Sequence, residues 1–143
     1  AGDIVVAARS ARFILSFVRL GAALDAGTSL LLQRSIGVAR ARALALLGEP
    51  LTAEQAAQWG LIWKAVDDGS ALDEALAIAQ KLADGPPIGL GLIKAQVEAA
   101  WSAPLAATLD NEAESQARAF VTADLREGAA AFVEKRQPRF TGR

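Results

Sequence analysis

Apolar and polar positions change their period along the chain, and the change predicts strands first and helices afterwards. Residues 4–8, IVVAA, form a short β-branched apolar run typical of a buried strand, and residues 13–18, FILSFV, form a second candidate. Beyond residue 28 the apolar positions recur mainly at helical spacing, with one further short strand predicted over residues 61–66, LIWKAV. The pattern predicts a mostly α-helical chain with a few short strands.

Short polar residues, prolines and glycines mark the ends of the predicted helices. Asp25 occupies the position of an N-cap. Thr52 with Gln55 has the spacing of a capping box, and so has Asp124 with Glu127. The predicted helices cover residues 28–35, 38–47, 53–59, 71–83, 87–101, 104–121 and 125–137. The best candidate boundary is the turn-rich run DDGS at residues 67–70, which divides the chain into residues 1–66 and residues 67–143.

Composition narrows the chemistry that the chain can perform. It contains no cysteine and no histidine, which excludes disulfides and thiolate metal sites and removes the usual general base. Acid–base work must therefore fall to Asp, Glu or Lys, and we expect no metal site. The net charge of −1 and the absence of a basic stripe argue against nucleic acid as a partner. No apolar run approaches the ~20 residues of a membrane span, so we expect no membrane partner and a cytoplasmic protein.

One carboxylate stands out as a candidate for chemistry. Residues 20–34, LGAALDAGTSLLLQR, form a glycine-flanked loop that delivers Asp25 to the start of an apolar helix. A plain helix cap is the structural alternative, and the two roles are compatible.

Four stretches in register carry a resemblance to a known family. They are AGDIVVAARSARF, LGAALDAGTSLLLQRSIG, ARALALLGEPLTAEQAAQWGLIWKAVDD and DLREGAAAFVEKRQPRFTG. Together they resemble the C-terminal half of the enoyl-CoA hydratase/isomerase (crotonase) superfamily. The resemblance implies the C-terminal half of the α/β crotonase spiral fold, with residues 1–66 ending the spiral core and residues 67–143 forming a helical oligomerisation region. The loops that supply the family's oxyanion hole fall outside the resemblance, so we expect this chain alone to turn over nothing.

The resemblance also points to one branch of the family. Hydratases carry a carboxylate four residues after the Phe that corresponds to Phe13, and Phe17 stands there in this chain. Asp25 matches the Asp of isomerase-type members, and the surrounding motifs resemble phenylacetate-pathway isomerases that convert ring-epoxidised phenylacetyl-CoA to oxepin-CoA. Relatives often have a loop one residue longer with a second glycine, so we expect the helix start to be repositioned here.

The resemblance extends to substrate contacts. We expect Phe17, Leu20 and Leu24 to form the substrate-binding surface beside Asp25, although a Phe such as Phe17 is more often a core residue than a functional ring. Phe132 and Lys135 correspond to coenzyme A contacts of the family, and Lys135 is otherwise an ordinary solvated helix end. Coenzyme A would enter as part of an acyl-CoA thioester, without a separate cofactor.

Three functions remain open from the sequence. The first is an acyl-CoA isomerase with Asp25 as its proton shuttle, and the second is an enoyl-CoA hydratase. The third is a catalytically inactive oligomerisation module. The resemblance implies a homo-oligomer, a trimer or a hexamer, in the full-length protein.

Overall fold

The computed structural model describes residues 2–143, so the first residue of the predicted region 1–66 lies outside it. Seven α-helices, one 3₁₀ helix and four short strands fall within that range, which confirms the predicted mostly α-helical class. The elements of the first half are β1 Val6–Ala8, β2 Arg12–Phe13, the 3₁₀ helix Ser16–Leu20, α1 Thr28–Ile36, α2 Val38–Leu47, β3 Leu51–Thr52, α3 Ala53–Trp59 and β4 Lys64–Val66. Those of the second half are α4 Ala71–Ala83, α5 Pro87–Ala100, α6 Leu105–Phe120 and α7 Ala123–Glu134.

The chain forms two compact units, one ending at Leu76 and the other spanning Ala77–Arg143. The division falls within α4. The predicted assignment of residues 1–66 to a spiral core and residues 67–143 to oligomerisation stays a prediction.

Two short strand pairs join distant parts of the first unit. β1 runs parallel to β4, with Val6 opposite Lys64, and β2 runs antiparallel to β3, with Phe13 opposite Leu51. The Arg9 guanidinium lies beside β1 and β4 and donates to both Asp67, at 3.0 Å, and Glu54. These hydrogen bonds and charges raise the pKa of Arg9 further above its usual value. These polar contacts join the residue after β1 to the residue after β4 and to α3.

The core of the first unit lies among α1, α2, α3 and β3. Its most deeply buried large side chain is Leu51, which is 2% exposed. Gly48 ends α2 with a left-handed φ of 63°, and a Cβ there would lie 2.8 Å from Cγ1 of Val18. Glycine is therefore required at this position both for the backbone and for the approach of the 3₁₀ helix. The buried cluster comprises Ile36, Ala41, Leu44, Leu51, Ala56 and Ile62.

The predicted strand over residues 13–18 is wrong beyond Phe13. In the antiparallel register, Ile14 would lie opposite Pro50, which has no N–H to donate, and α2 ends only at Gly48, so β3 offers no partner beyond Leu51. Residues 16–20 therefore have no strand to pair with and wind into a 3₁₀ helix instead. Gly21, with φ of 68°, closes this helix by donating its N–H to the Val18 carbonyl at 3.2 Å.

The start of the last helix also differs from its prediction. Thr122 is the N-cap of α7, and its Oγ1 accepts from the Leu125 N–H at 3.1 Å. Asp124 lies in the first turn, only 4% exposed, and its carboxylate binds the backbone of the C-terminal tail rather than that of its own helix. Glu127 likewise binds residues beyond the helix, at Arg136 and Arg139. The capping box expected from Asp124 and Glu127 does not form.

Candidate functional site

Asp25 begins a tight turn rather than a helix. The Thr28 N–H donates to the Asp25 carbonyl at 2.9 Å, and the two central residues, Ala26 and Gly27, have positive φ of 49° and 77°. Two left-handed central residues are typical of a type I′ turn, which ordinarily favours Asn-Gly or Gly-Gly. Ala26 is therefore a strained residue directly after the candidate carboxylate.

The N-cap of α1 is Gly27, so the prediction of Asp25 as the N-cap is wrong. The Gly27 carbonyl accepts from the N–H groups of Leu30 and Leu31, both at 3.0 Å, whereas the Asp25 side chain bonds no N–H of the helix. The turn inserts two residues between the carboxylate and the helix, which places Asp25 ahead of the capping position.

The Asp25 side chain is exposed. Across residues 2–143 no hydrogen bond or ion pair engages its carboxylate. A carboxylate without partners remains available to accept a proton from a bound molecule.

The predicted neighbours of Asp25 lie on one continuous segment. Phe17 is half-buried in the 3₁₀ helix, and its carbonyl accepts from the Ala22 N–H at 2.9 Å. Leu20, at the end of that helix, is 79% exposed, and Leu24 is half-buried just before the turn. Three apolar side chains and one carboxylate therefore lie within nine consecutive residues of the chain. The role of these residues in substrate binding stays a prediction.

An apolar cleft of about 310 Å³ lies in the same unit. None of the predicted site residues lines it. Its only signal in the sequence is the apolar character of the strand and helix positions that surround it. Its lining residues are Val5, Phe13, Ile14, Leu15, Leu32, Leu44, Leu61 and Ile62.

Phe132 and Lys135 lie at the C-terminal end of α7 in the second unit. Phe132 is 85% exposed. Lys135 has φ of 53° and ψ of 39°, its N–H donates to the Phe132 carbonyl at 3.3 Å, and the Arg136 N–H donates to the Ala131 carbonyl at 3.0 Å. This pair of hydrogen bonds is the Schellman motif, with lysine in the left-handed position where glycine is usual.

A cluster of ion pairs surrounds this helix end. Arg136 donates to both oxygens of Glu127, at 2.6 and 3.0 Å, and to Glu134 at 2.5 Å. The Arg139 backbone N–H also donates to Glu127, at 2.8 Å. The hydrogen bond from Arg136, aided by that from Arg139, lowers the pKa of Glu127 to about 2. Reciprocally, Glu127 and then Glu134 raise the pKa of Arg136. This cluster has no local signature in the sequence, because nine residues separate Glu127 from Arg136.

Within residues 2–143 no group of three or more acidic side chains is placed to hold a metal ion. In the same range, none of the helices combines the length and the apolar character that a membrane crossing demands.

Comparison with known proteins places the chain in a family. Residues 1–143 match the family model described as enoyl-CoA hydratase/isomerase. The chain is 50% identical over 142 residues to the 1,2-epoxyphenylacetyl-CoA isomerase of Escherichia coli (strain K12), covering 99% of this chain and 54% of that protein. It is 46% identical to a probable enoyl-CoA hydratase of Rhodobacter capsulatus, covering 100% of this chain and 56% of that protein.

The fold agrees with this assignment. The structure of an enoyl-CoA hydratase from Polaromonas sp. JS666 matches with a TM-score of 0.92 and 36% identity, over 97% of this chain and 54% of that chain. The chain therefore belongs to the enoyl-CoA hydratase/isomerase family and has the fold of part of a crotonase-type protein. It spans about half the length of the curated relatives it matches.

Proposed function

We propose that the protein is an acyl-CoA isomerase in which Asp25 moves the proton. The observation that carries this proposal is the exposed Asp25 carboxylate, which no described residue engages and which a tight turn holds ahead of α1. Supporting it, one relative named above is an isomerase of an epoxidised phenylacetyl-CoA. The substrate would be an enoyl-CoA or a ring-epoxidised phenylacetyl-CoA.

The chemistry needs only one carboxylate. A thioester acidifies its α-carbon, so a base that removes a proton from the acyl chain generates an enolate. The same carboxylic acid can return the proton to another carbon on the same face, which shifts the double bond with no net gain or loss of protons. With the ring-epoxide substrate, the carboxylate would assist ring opening and rearrangement to the oxepin.

Hydration fits this chain less well than isomerisation. Water addition by paired carboxylates needs a second acid–base group, and the resemblance assigns its position to Phe17, a half-buried aromatic ring. The exposed Leu20 and the half-buried Leu24 would instead contact the acyl group beside Asp25.

Phe132 and Lys135 would bind the coenzyme A portion of the substrate. The Phe132 ring is exposed and suited to stacking on a base, and the Lys135 ammonium carries the charge that a phosphate requires. Coenzyme A would be part of the substrate, and proton transfer of this kind requires no further cofactor.

The second proposal concerns assembly. Large apolar side chains lie exposed along the chain after residue 70, and contiguous exposed apolar patches of large area are rare on monomers. We infer that they pack in a homo-oligomer of the full-length protein, a trimer or a hexamer, and sedimentation at high concentration would contradict this with a monomeric mass. The exposed residues include Leu72, Leu76, Leu105, Leu109, Phe120, Val121, Phe132 and Val133.

The substitution Asp25→Asn tests the catalytic proposal in the protein at its full natural length. We expect kcat for double-bond migration in an enoyl-CoA, followed by ultraviolet absorbance of the conjugated thioester, to fall by about 10² or more. Asp110→Asn, at an exposed carboxylate on α6, is the matched control and should retain its activity. Near-normal isomerisation by Asp25→Asn would remove Asp25 from the mechanism. If hydration alone were lost, the hydratase alternative would be favoured.

A further inference from the structure

Lys135 stands where the backbone would prefer glycine. A left-handed φ is unfavourable for a residue with a Cβ, and glycine is common at this point of the Schellman motif for that reason. Within residues 2–143, Lys135 and Ala26 are the non-glycine residues with positive φ. Strained residues of this kind persist where the surrounding contacts hold them, and they often lie at functional sites.

The contacts that hold Lys135 converge on Glu127. Its carboxylate accepts two hydrogen bonds from the Arg136 guanidinium and one from the Arg139 backbone N–H. These bonds attach the chain after Lys135 to the side of α7, two turns before the helix ends. The backbone of Lys135 is thereby fixed between the helix and a segment that Glu127 holds in place.

The same contacts separate the roles of two adjacent cations. Arg136 is neutralised by Glu127 and Glu134. In contrast, no hydrogen bond or ion pair within the described part of the chain engages the Lys135 ammonium. Arg136 therefore serves the structure of the turn, while Lys135 keeps its charge available for an anionic ligand.

We infer that Glu127 is a positioning residue for coenzyme A, acting through Arg136 to hold Lys135 in the left-handed conformation that directs its ammonium to a phosphate group. This inference rests on the role proposed for Lys135. Glu127 itself would not touch the substrate. Its loss would free the turn and weaken binding of the nucleotide end, without changing the proton transfer at the acyl end.

The test compares two substrates with the same acyl group, an acyl-CoA and the corresponding acyl-pantetheine, which lacks the nucleotide and its phosphates. For Glu127→Gln in the full-length protein, we expect KM for the acyl-CoA to rise about five- to tenfold while kcat is unchanged. KM for the acyl-pantetheine should stay at the wild-type value. Glu112→Gln, at an exposed carboxylate on α6, is the control and should change neither KM.

The other outcomes overturn the inference. An equal rise in KM for both substrates would indicate general damage to the helix, and no rise for either would mean that Glu127 does not position Lys135. If Glu127→Gln does not fold, Glu127→Asp replaces it, with the same substrate-dependent split expected and its absence contradicting the inference. Lys135→Ala separates this inference from the proposed function. If Lys135→Ala raises KM for the acyl-CoA alone and Glu127→Gln does not, only the positioning role fails. If Lys135→Ala changes neither KM, the phosphate contact itself fails.

Discussion

The carboxylate of Asp124 accepts a hydrogen bond from the backbone N–H of Thr141, at 2.7 Å, across 17 residues of chain. Its second oxygen accepts from the Gly142 N–H at 2.9 Å. In return, the N–H groups of Ala123 and Asp124 donate to the Arg143 carbonyl at 2.6 and 3.2 Å. The N-terminal turn of α7 and the tail are therefore joined by four hydrogen bonds from backbone N–H groups and one from the Thr141 hydroxyl, around one buried side chain.

Asp124→Ala should destabilise the protein by about 2 kcal/mol or more, because hydrogen bonds to a charged acceptor contribute roughly 1.5–3 kcal/mol and the tail N–H groups would lose their partner. The free energy of unfolding in urea is the measurement. Asp110→Asn should lie within about 0.5 kcal/mol of wild type, since its side chain is exposed on α6. Equal stabilities for the two variants would show that the tail contacts contribute little.

Ala26→Asn should stabilise the protein by about 0.5–1 kcal/mol, because asparagine tolerates the left-handed φ of 49° better than alanine does. Urea unfolding measures the effect. The control is Ala39→Asn, at an exposed right-handed position of α2, which should destabilise by about 0.5 kcal/mol. A loss of stability at both positions would contradict the strain assigned to Ala26.

Glu127 should make stability depend on pH in the acidic range. Its ordinary carboxyl pKa is 4.5 and its native pKa is about 2, so a falling pH protonates the unfolded chain first. The stabilisation is complete above about pH 4.5 and declines as the pH falls to about 2. Unfolding free energies of wild type and Glu127→Gln should therefore converge as the pH falls through this range. If the difference in unfolding free energy between wild type and Glu127→Gln stayed constant with pH, the low native pKa of Glu127 would be contradicted.

Local signals predicted most helix boundaries. The bounds of α2 were predicted as observed, since Gly37 and Gly48 flank an uninterrupted Ala/Leu-rich run. The capping box of Thr52 and Gln55 also forms as predicted, with the Thr52 Oγ1 accepting from the Gln55 N–H at 3.1 Å. Both features depend on residues within a few positions of each other, which a sequence displays directly.

The errors arise where distant or three-dimensional contacts decide the structure. The antiparallel register places Pro50, far along the chain, opposite the residue after Phe13, so β2 ends there and residues 16–20 form a 3₁₀ helix. Asp124 has the residue type and the spacing of an N-cap. Its carboxylate instead accepts a hydrogen bond from the Thr141 N–H in the tail. The shortened loop after Asp25 predicts a shifted helix start. It does not predict the type I′ turn, because alanine is unusual at a left-handed position such as that of Ala26.

The parallel pairing of β1 with β4 has a consequence for how the first unit folds. Val6 can meet Lys64 only after the intervening chain has been brought together, so the pair contributes a contact of high sequence separation. The entropy of closing such a loop is lost before the strand pair provides any stabilisation, whereas α1 and α2 form from local contacts. We therefore expect β1 to pair with β4 after α1 and α2 have formed, and the hydrogen bonds from Arg9 to Asp67 to form with that pairing.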